Sequence, residues 1–150
     1  MTVTKQIEWD MGHRVLNHHS KCCNLHGHRY KLEIALEGKL VANKGDSSEG
    51  MVIDFGDIKL IATKHIHDVL DHGFMVWNKD RILLNFFTKN PDQKHIIVPF
   101  TPTAENIAVW VFKQLDKKYL DVFNTGLRLE SVKLWETPTS MVICKRKDVI

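Results

Sequence analysis

The chain has few of the features of a secreted or membrane protein. Only 3 of its 150 residues are cysteine, and two of these are neighbours, so a disulfide framework is excluded. No run of about 18 consecutive apolar residues occurs, and the first residues, MTVTKQIEWD, lack the apolar segment of a signal peptide. We therefore expect a soluble protein of a reducing compartment, the cytoplasm, that has no membrane partner.

Charge and composition further limit the kinds of protein that this sequence can encode. The formal net charge of +3 is too small to predict a nucleic-acid partner, although it suits a polyanionic small substrate. Hydrophobic residues make up 43% and charged residues 26%, as in ordinary globular proteins, and the length fits one domain spanning residues 1–150. The nine histidines are the unusual feature.

Two stretches near the start alternate with the period of a β-strand. From Val3 to His13 the residues of one parity are mostly apolar, and His13 ends the row. A second row of alternating apolar residues runs to Leu36, and His26 and His28 begin it. We predict that the two strands pair as an antiparallel hairpin, which places His13 opposite His26 and His28.

The remaining elements indicate an α+β fold. A helix is predicted over residues 54–72, with Gly73 closing it, and a second helix after the N-cap residue Thr103. Two more strands are predicted over residues 127–137 and 140–147. The apolar segment 73–101 is too long for a simple connector, so we expect it to form short strands, a lid or a subunit contact.

The stretch SKCCNLHGHRYKLEI is the main candidate for chemistry. His26 and His28 share one strand face by the period of two, so three imidazoles, with His13, can converge at the end of the hairpin. Three neutral histidines suit Zn²⁺ and leave a fourth position open, as catalytic zinc sites do. Two alternatives stay open: hydrogen-bonded histidines at the edge of a core, and a closed structural site with Cys22 or Cys23 as fourth ligand.

Two further groups are candidates for acid–base or binding roles. Asp71 can orient His72 at the end of the first helix, although Asp68 competes as a partner and such pairs also occur on plain surfaces. A slip of apolar parity after Leu129 predicts a bulge, beyond which Glu136 falls on an apolar strand face and needs a partner. An exposed glutamate at the strand end is the alternative.

Six motifs in this order, WDMGH, CCNLHGHRYKLEI, MVIDFGDIK, LDHGF, PTAEN and LWETPTS, resemble the 6-pyruvoyl- and 6-carboxy-tetrahydropterin synthase family. The resemblance implies the tunnelling fold (T-fold), with a four-stranded antiparallel sheet and two helices between strands two and three. It also implies trimers that stack as a homohexamer, with active sites between subunits.

The resemblance also implies a substrate, 7,8-dihydroneopterin triphosphate, and a zinc-dependent lyase reaction. The LWETPTS ending looks more like the members that form 6-carboxy-tetrahydropterin and acetaldehyde, a step toward 7-deazaguanine and queuosine, than those that form the 6-pyruvoyl product. The residues in the family's positions are the zinc ligands His13, His26 and His28, the catalytic thiol Cys22, the acid–base pair Asp71 and His72, and the pterin-anchoring Glu136.

Three departures from the family stand out. Gly12 lies where the family commonly has alanine or serine, Cys23 is an additional thiol, and the segment 73–101 is longer than expected. Basic residues for the triphosphate stay unassigned among Arg14, Lys21 and Arg29. A hypothesis of another class is a non-enzymatic, zinc-stabilised binding module, which would unfold when its metal is chelated.

Overall fold

Four long antiparallel strands form most of a six-stranded sheet in the computed structural model, which describes residues 1–123 and 126–149. The strand order is β4-β3-β1-β2-β5-β6, and only the β1–β3 and β3–β4 pairs are parallel. The predicted count of four strands is therefore wrong, because the segment after the first helix adds β3 and β4. The strands are β1 (Thr2–His13), β2 (His26–Glu37), β3 (Gly73–Trp77), β4 (His95–Val98), β5 (Arg128–Thr137) and β6 (Ser140–Lys145).

Three helical runs accompany the sheet. The first is α1 (Phe55–Ala62), which continues through a π-helical turn (Thr63–His67) into α2 (Asp68–Leu70); the others are α3 (Arg81–Lys89) and α4 (Ala104–Phe123). The Oγ1 of Thr103 accepts a hydrogen bond from the backbone N–H of Asn106 at 3.3 Å, which confirms the predicted N-cap. The expected closure by Gly73 is wrong, because α2 ends at Leu70 and Gly73 begins β3. None of the described helices is both long and apolar enough to span a bilayer.

The core lies between one face of the sheet and the helices α1 and α4. Trp9 and Tyr30 stack with ring centroids 5.6 Å apart and are almost fully buried. Burying each large apolar side chain contributes on the order of 1.5–3 kcal/mol, so this pair stabilises the packing of the helices on β1 and β2. The largest buried helical side chains of the core are Ile58, Ile66, Leu70, Ile107, Phe112 and Tyr119.

The hairpin register decides where the histidines lie. His13 pairs with His26, and Met11 pairs with His28, so all three imidazoles point to the same face at the end of β1 and the start of β2. This confirms the predicted pairing. The predicted bulge is also present, because Ala35 pairs with Ser131 while Leu36 pairs with Leu129.

The segment from β3 to β4 forms a small unit with its own apolar cluster. Val76, Leu83 and Phe87 are buried together, with Phe74 packed against them. The unit docks on the end of β1 through parallel pairing at Met11 and Gly12. Of the alternatives for residues 73–101, short strands were correct, and α3 was not predicted.

The absence of a side chain at Gly12 makes this docking possible. A Cβ there would lie 2.5 Å from Cδ2 of Phe74, so we expect Gly12→Ala to lower the free energy of unfolding by about 1–3 kcal/mol. Urea denaturation measures the loss, and Gly12→Ala combined with Phe74→Leu should recover part of it. An unchanged stability of Gly12→Ala would contradict this explanation of the departure at Gly12.

Candidate active site

Three imidazoles meet at the end of the hairpin. The ring centroid of His13 lies 4.6 Å from that of His26 and 5.2 Å from that of His28, and the centroids of His26 and His28 are 5.0 Å apart. One nitrogen from each ring lies within 4.8 Å of the others. This spacing is compact enough for one metal ion to be bound by all three.

Backbone carbonyls orient two of the rings. Nδ1 of His13 lies 2.7 Å from the Pro102 carbonyl oxygen, and Nδ1 of His26 lies 2.8 Å from that of Asn24. A carbonyl only accepts, so Nδ1 of each ring carries the proton and Nε2 keeps its lone pair, which in His13 lies 3.4 Å from the Tyr30 hydroxyl. Burial lowers the pKa of His13 and of His28, which favours the neutral form that binds metals.

Cys22 lies in a short 3₁₀ turn, Lys21–Cys23, and faces the histidines across a cavity of about 290 Å³. His13, His26 and Glu136 line the same cavity, whereas Cys23 is not among its lining residues. Among the described residues, only the three histidines form a group of potential metal ligands, and no thiol joins it. The geometry therefore favours an open site over the closed one with a cysteine ligand.

Glu136 reaches the histidines from β5. Its Oε1 lies 3.5 Å from Nε2 of His13 and 3.9 Å from Nε2 of His28, and the Tyr30 hydroxyl donates a long hydrogen bond of 3.5 Å to it. The side chain is 26% exposed and also lines an adjoining cavity of about 430 Å³. The carboxylate is thus partly buried in a cavity wall, unlike an exposed strand-end glutamate, and still accessible to a ligand that donates hydrogen bonds.

Asp71 and His72 form the predicted pair. Nδ1 of His72 lies 2.7 Å from Oδ2 of Asp71, whose Oδ1 accepts the backbone N–H of Asp10 at 2.9 Å. That N–H and then the His72 imidazole lower the pKa of Asp71. The competing Asp68 pairs with His67 instead.

His72 projects away from the Cys22 cavity. Its backbone has a φ of 57°, in the left-handed region, and its side chain is 79% exposed. It lines an open groove with His28 and Arg29 rather than the cavity of Cys22. Within one chain, the structure therefore brings Cys22, the three histidines and Glu136 together but leaves His72 facing outward.

Several lining residues escaped the sequence analysis. The loop residue His18 is partly buried and lines the Cys22 cavity, which Glu105 and Ser140 also line. Of the basic candidates for an anion, Arg14 is bound to Asp80 and Arg29 is paired with Glu8 and Asp10. No periodicity marks a loop histidine, and the PTAEN motif was the only signal for Glu105.

The sequence and the fold of the chain are similar to those of known proteins. The sequence profile of the 6-pyruvoyl tetrahydropterin synthase family matches residues 2–147. The chain belongs to this family. It is 38% identical over 140 residues to a 6-carboxy-5,6,7,8-tetrahydropterin synthase of Haemophilus influenzae, covering 92% of this chain and 94% of that protein. It is 40% identical over 139 residues to the protein of that name from Rickettsia conorii, covering 93% and 96%.

Solved structures share the fold of this chain. An uncharacterized protein of Wolinella succinogenes superposes with a TM-score of 0.79 at 24% identity, covering 97% of this chain and 98% of that one. The 6-pyruvoyl tetrahydropterin synthase of Caenorhabditis elegans superposes with a TM-score of 0.67, also at 24% identity, covering 97% and 94%. The α+β fold of this family is therefore confirmed.

Proposed function

We propose that the protein is a zinc-dependent lyase that converts 7,8-dihydroneopterin triphosphate to 6-carboxy-5,6,7,8-tetrahydropterin, releasing acetaldehyde and triphosphate. One observation carries the proposal: three clustered imidazoles, a thiol and a partly exposed carboxylate line neighbouring cavities in a member of this family. The names of the relatives from Haemophilus and Rickettsia favour the carboxy product over the pyruvoyl product. The product's role would be in 7-deazaguanine and queuosine synthesis.

His13, His26 and His28 have the donor set that a divalent metal needs. Nδ1 of His13 and of His26 is engaged by a carbonyl, which leaves the Nε2 lone pair of these two rings for the metal, and three nitrogen ligands suit zinc with a position left for substrate. When bound, the metal supplies Lewis acidity, which lowers the free energy of negative charge that develops on the substrate's hydroxylated side chain.

Cys22 is the proposed general base. As a thiolate at the cavity wall it would remove a proton from the substrate side chain, because it lies beside the histidines without belonging to their ligand group. His72, oriented by Asp71, is the proposed acid that returns a proton. The Asp10 backbone N–H fixes the Asp71 carboxylate and so fixes the direction of the imidazole.

The outward position of His72 supports a homo-oligomer. An exposed, oriented imidazole on an open groove cannot act on the Cys22 cavity of its own chain, but it can complete the site of a neighbouring subunit. We therefore propose active sites between subunits of a trimer or hexamer.

Mixing a Cys22→Ala variant with a His72→Ala variant should restore part of the activity if subunits exchange.

The direct test is incubation of the purified protein with 7,8-dihydroneopterin triphosphate, followed by mass spectrometry of the products. Acetaldehyde together with a carboxypterin is the expected result. A pyruvoylpterin would assign the other activity of the family. Unchanged substrate, in protein shown to contain zinc, would favour a non-enzymatic binding module.

Glu136→Gln should weaken substrate binding without loss of metal. The proposed role of Glu136 is to accept two hydrogen bonds from the amino-pyrimidinone edge of the pterin, and charge-assisted bonds of this kind contribute about 1.5–3 kcal/mol each. We expect KM to rise roughly 10-fold or more on this basis, with zinc content unchanged. A variant with wild-type KM and kcat would exclude Glu136 from the pterin site.

A further inference from the structure

The loop that carries Cys22 makes mostly local contacts. It joins β1 to β2, and the backbone N–H of Val15 donates to the Cys22 carbonyl at 2.8 Å, closing the loop on itself. His18 and Ser20 also bond within the loop. In the described ranges, the hydrogen bonds from Arg14 to Asp80 are the only ones we find between this loop and an element beyond its two flanking strands.

Arg14 and Asp80 form a two-point contact. Nε of Arg14 lies 2.6 Å from Oδ2 of Asp80, and Nη2 lies 2.6 Å from Oδ1. A bidentate pair of this kind fixes the orientation of the guanidinium as well as its distance. The Asp80 side chain is only 2% exposed and that of Arg14 14%, so water competes little for either partner.

Asp80 is itself held in place. It is the N-cap of α3, where its Oδ1 accepts the backbone N–H of Leu83 at 3.2 Å. Leu83 belongs to the small apolar cluster of the β3–α3–β4 unit, and Phe74 of the same unit packs over Gly12. The unit thus holds the chain on either side of His13, at Gly12 in β1 and at Arg14 at the start of the loop.

We propose that Asp80 is a positioning residue that holds the Cys22 loop at the metal site through Arg14. The chain of contacts runs from the Asp80 carboxylate to the Arg14 guanidinium, along the backbone to Val15, and through its N–H to Cys22. This assigns a role to the extended segment 73–101. The inference rests on the general-base role proposed above for Cys22.

Asp80→Asn is the test variant, because it keeps the shape and the N-cap oxygen but removes the charged acceptor. Asp116→Asn is the matched control, because Asp116 also binds an arginine, Arg146, through both carboxylate oxygens. Asp116 lies on α4, far along the helix from the first turn, which lines the cavity. Both variants should lose some thermal stability. Only the first should alter the Cys22 loop.

Hydrogen exchange measures the positioning without any need for activity. In Asp80→Asn we expect the Val15 amide, which bonds Cys22, to exchange on the order of 10-fold faster, since loop opening is no longer opposed by the clamp. The amides of the β1–β2 hairpin and the zinc content should stay as in wild type. In Asp116→Asn the Val15 amide should be unchanged.

Turnover supplies the second readout. A small misplacement of a catalytic group costs up to about 100-fold, so we expect kcat of Asp80→Asn to fall on the order of 10-fold with KM little changed. Arg14→Gln should match it, and the double variant should lose no more than either single variant. The proposal would be overturned if the Val15 amide exchanged at the same rate in Asp80→Asn and wild type. It would also be overturned if the kcat of the double variant fell by the product of the two single losses. An inactive wild type would instead refute the proposed function and leave the exchange result to decide the positioning.

Discussion

Replacing His28 by alanine should remove the metal and leave the fold intact. The expected zinc content is one ion per wild-type chain and close to none in His28→Ala. Altering only the outer partner of a zinc ligand costs about 10- to 100-fold in affinity, so losing the ligand itself should cost at least about 100-fold. His28 is the best target, because its side chain is 21% exposed whereas that of His13 is 2% exposed, so its loss leaves the smaller cavity.

Atomic absorption after dialysis, with chelator competition for the affinity, provides the measurement. His26→Ala should behave in the same way, because the two remaining imidazoles make a poor site. His19→Ala is the control, because His19 is exposed in the loop and does not belong to the histidine group. Full zinc occupancy in His28→Ala or His26→Ala would contradict the ligand assignment.

Chelation of the wild-type protein separates a catalytic site from a structural one. The histidines lie at the end of the hairpin, while the core between the sheet and the helices continues without them. We therefore expect the chelated protein to keep its circular dichroism spectrum and lose turnover. Removal of a structural zinc would instead abolish the circular dichroism spectrum of the folded protein, because its binding free energy is folding free energy.

Sequence patterns predicted the parts of this site that depend on local periodicity. The alternation ending at His13 and beginning at His26 determines the hairpin register, because a shift of one residue would turn the histidines to the other face. The position of Glu136 followed from the same period of two, once the bulge before Val132 was included. These features are properties of one or two adjacent strands.

Contacts between distant segments could not be predicted in this way. Nothing in the sequence near Arg14 indicates that its partner is Asp80, 66 positions away, and Arg14 was instead a candidate for binding the triphosphate. Helix α3 was missed because its strong apolar character was attributed to strands or a lid. Gly73 was expected to close the first helix, since glycine adopts a left-handed backbone at less cost, but that conformation occurs one residue earlier, at His72.

The two adjacent thiols should differ sharply in their effect on turnover. Cys22 lines the cavity that holds His13, His26 and Glu136, whereas Cys23 follows it in the same 3₁₀ turn and is not among the lining residues. Cys22→Ala should therefore reduce kcat on the order of 100-fold or more, the contribution of a general base. Cys23→Ala, the matched control one residue away, should stay within about 2-fold of wild type, because it removes a thiol that meets neither substrate nor metal.

Zinc content decides what a loss of activity in Cys22→Ala means. A thiol that acts as a base can be removed while the three histidines keep the metal, so the inactive variant should still contain one zinc per chain. A thiol that binds zinc should take the metal with it when it is removed. Loss of zinc in Cys22→Ala would therefore support the alternative of a closed site with a cysteine ligand. If Cys23→Ala were inactive and Cys22→Ala active, Cys23 would be the base instead. The loop would then have to rotate by one residue to bring Cys23 to the cavity.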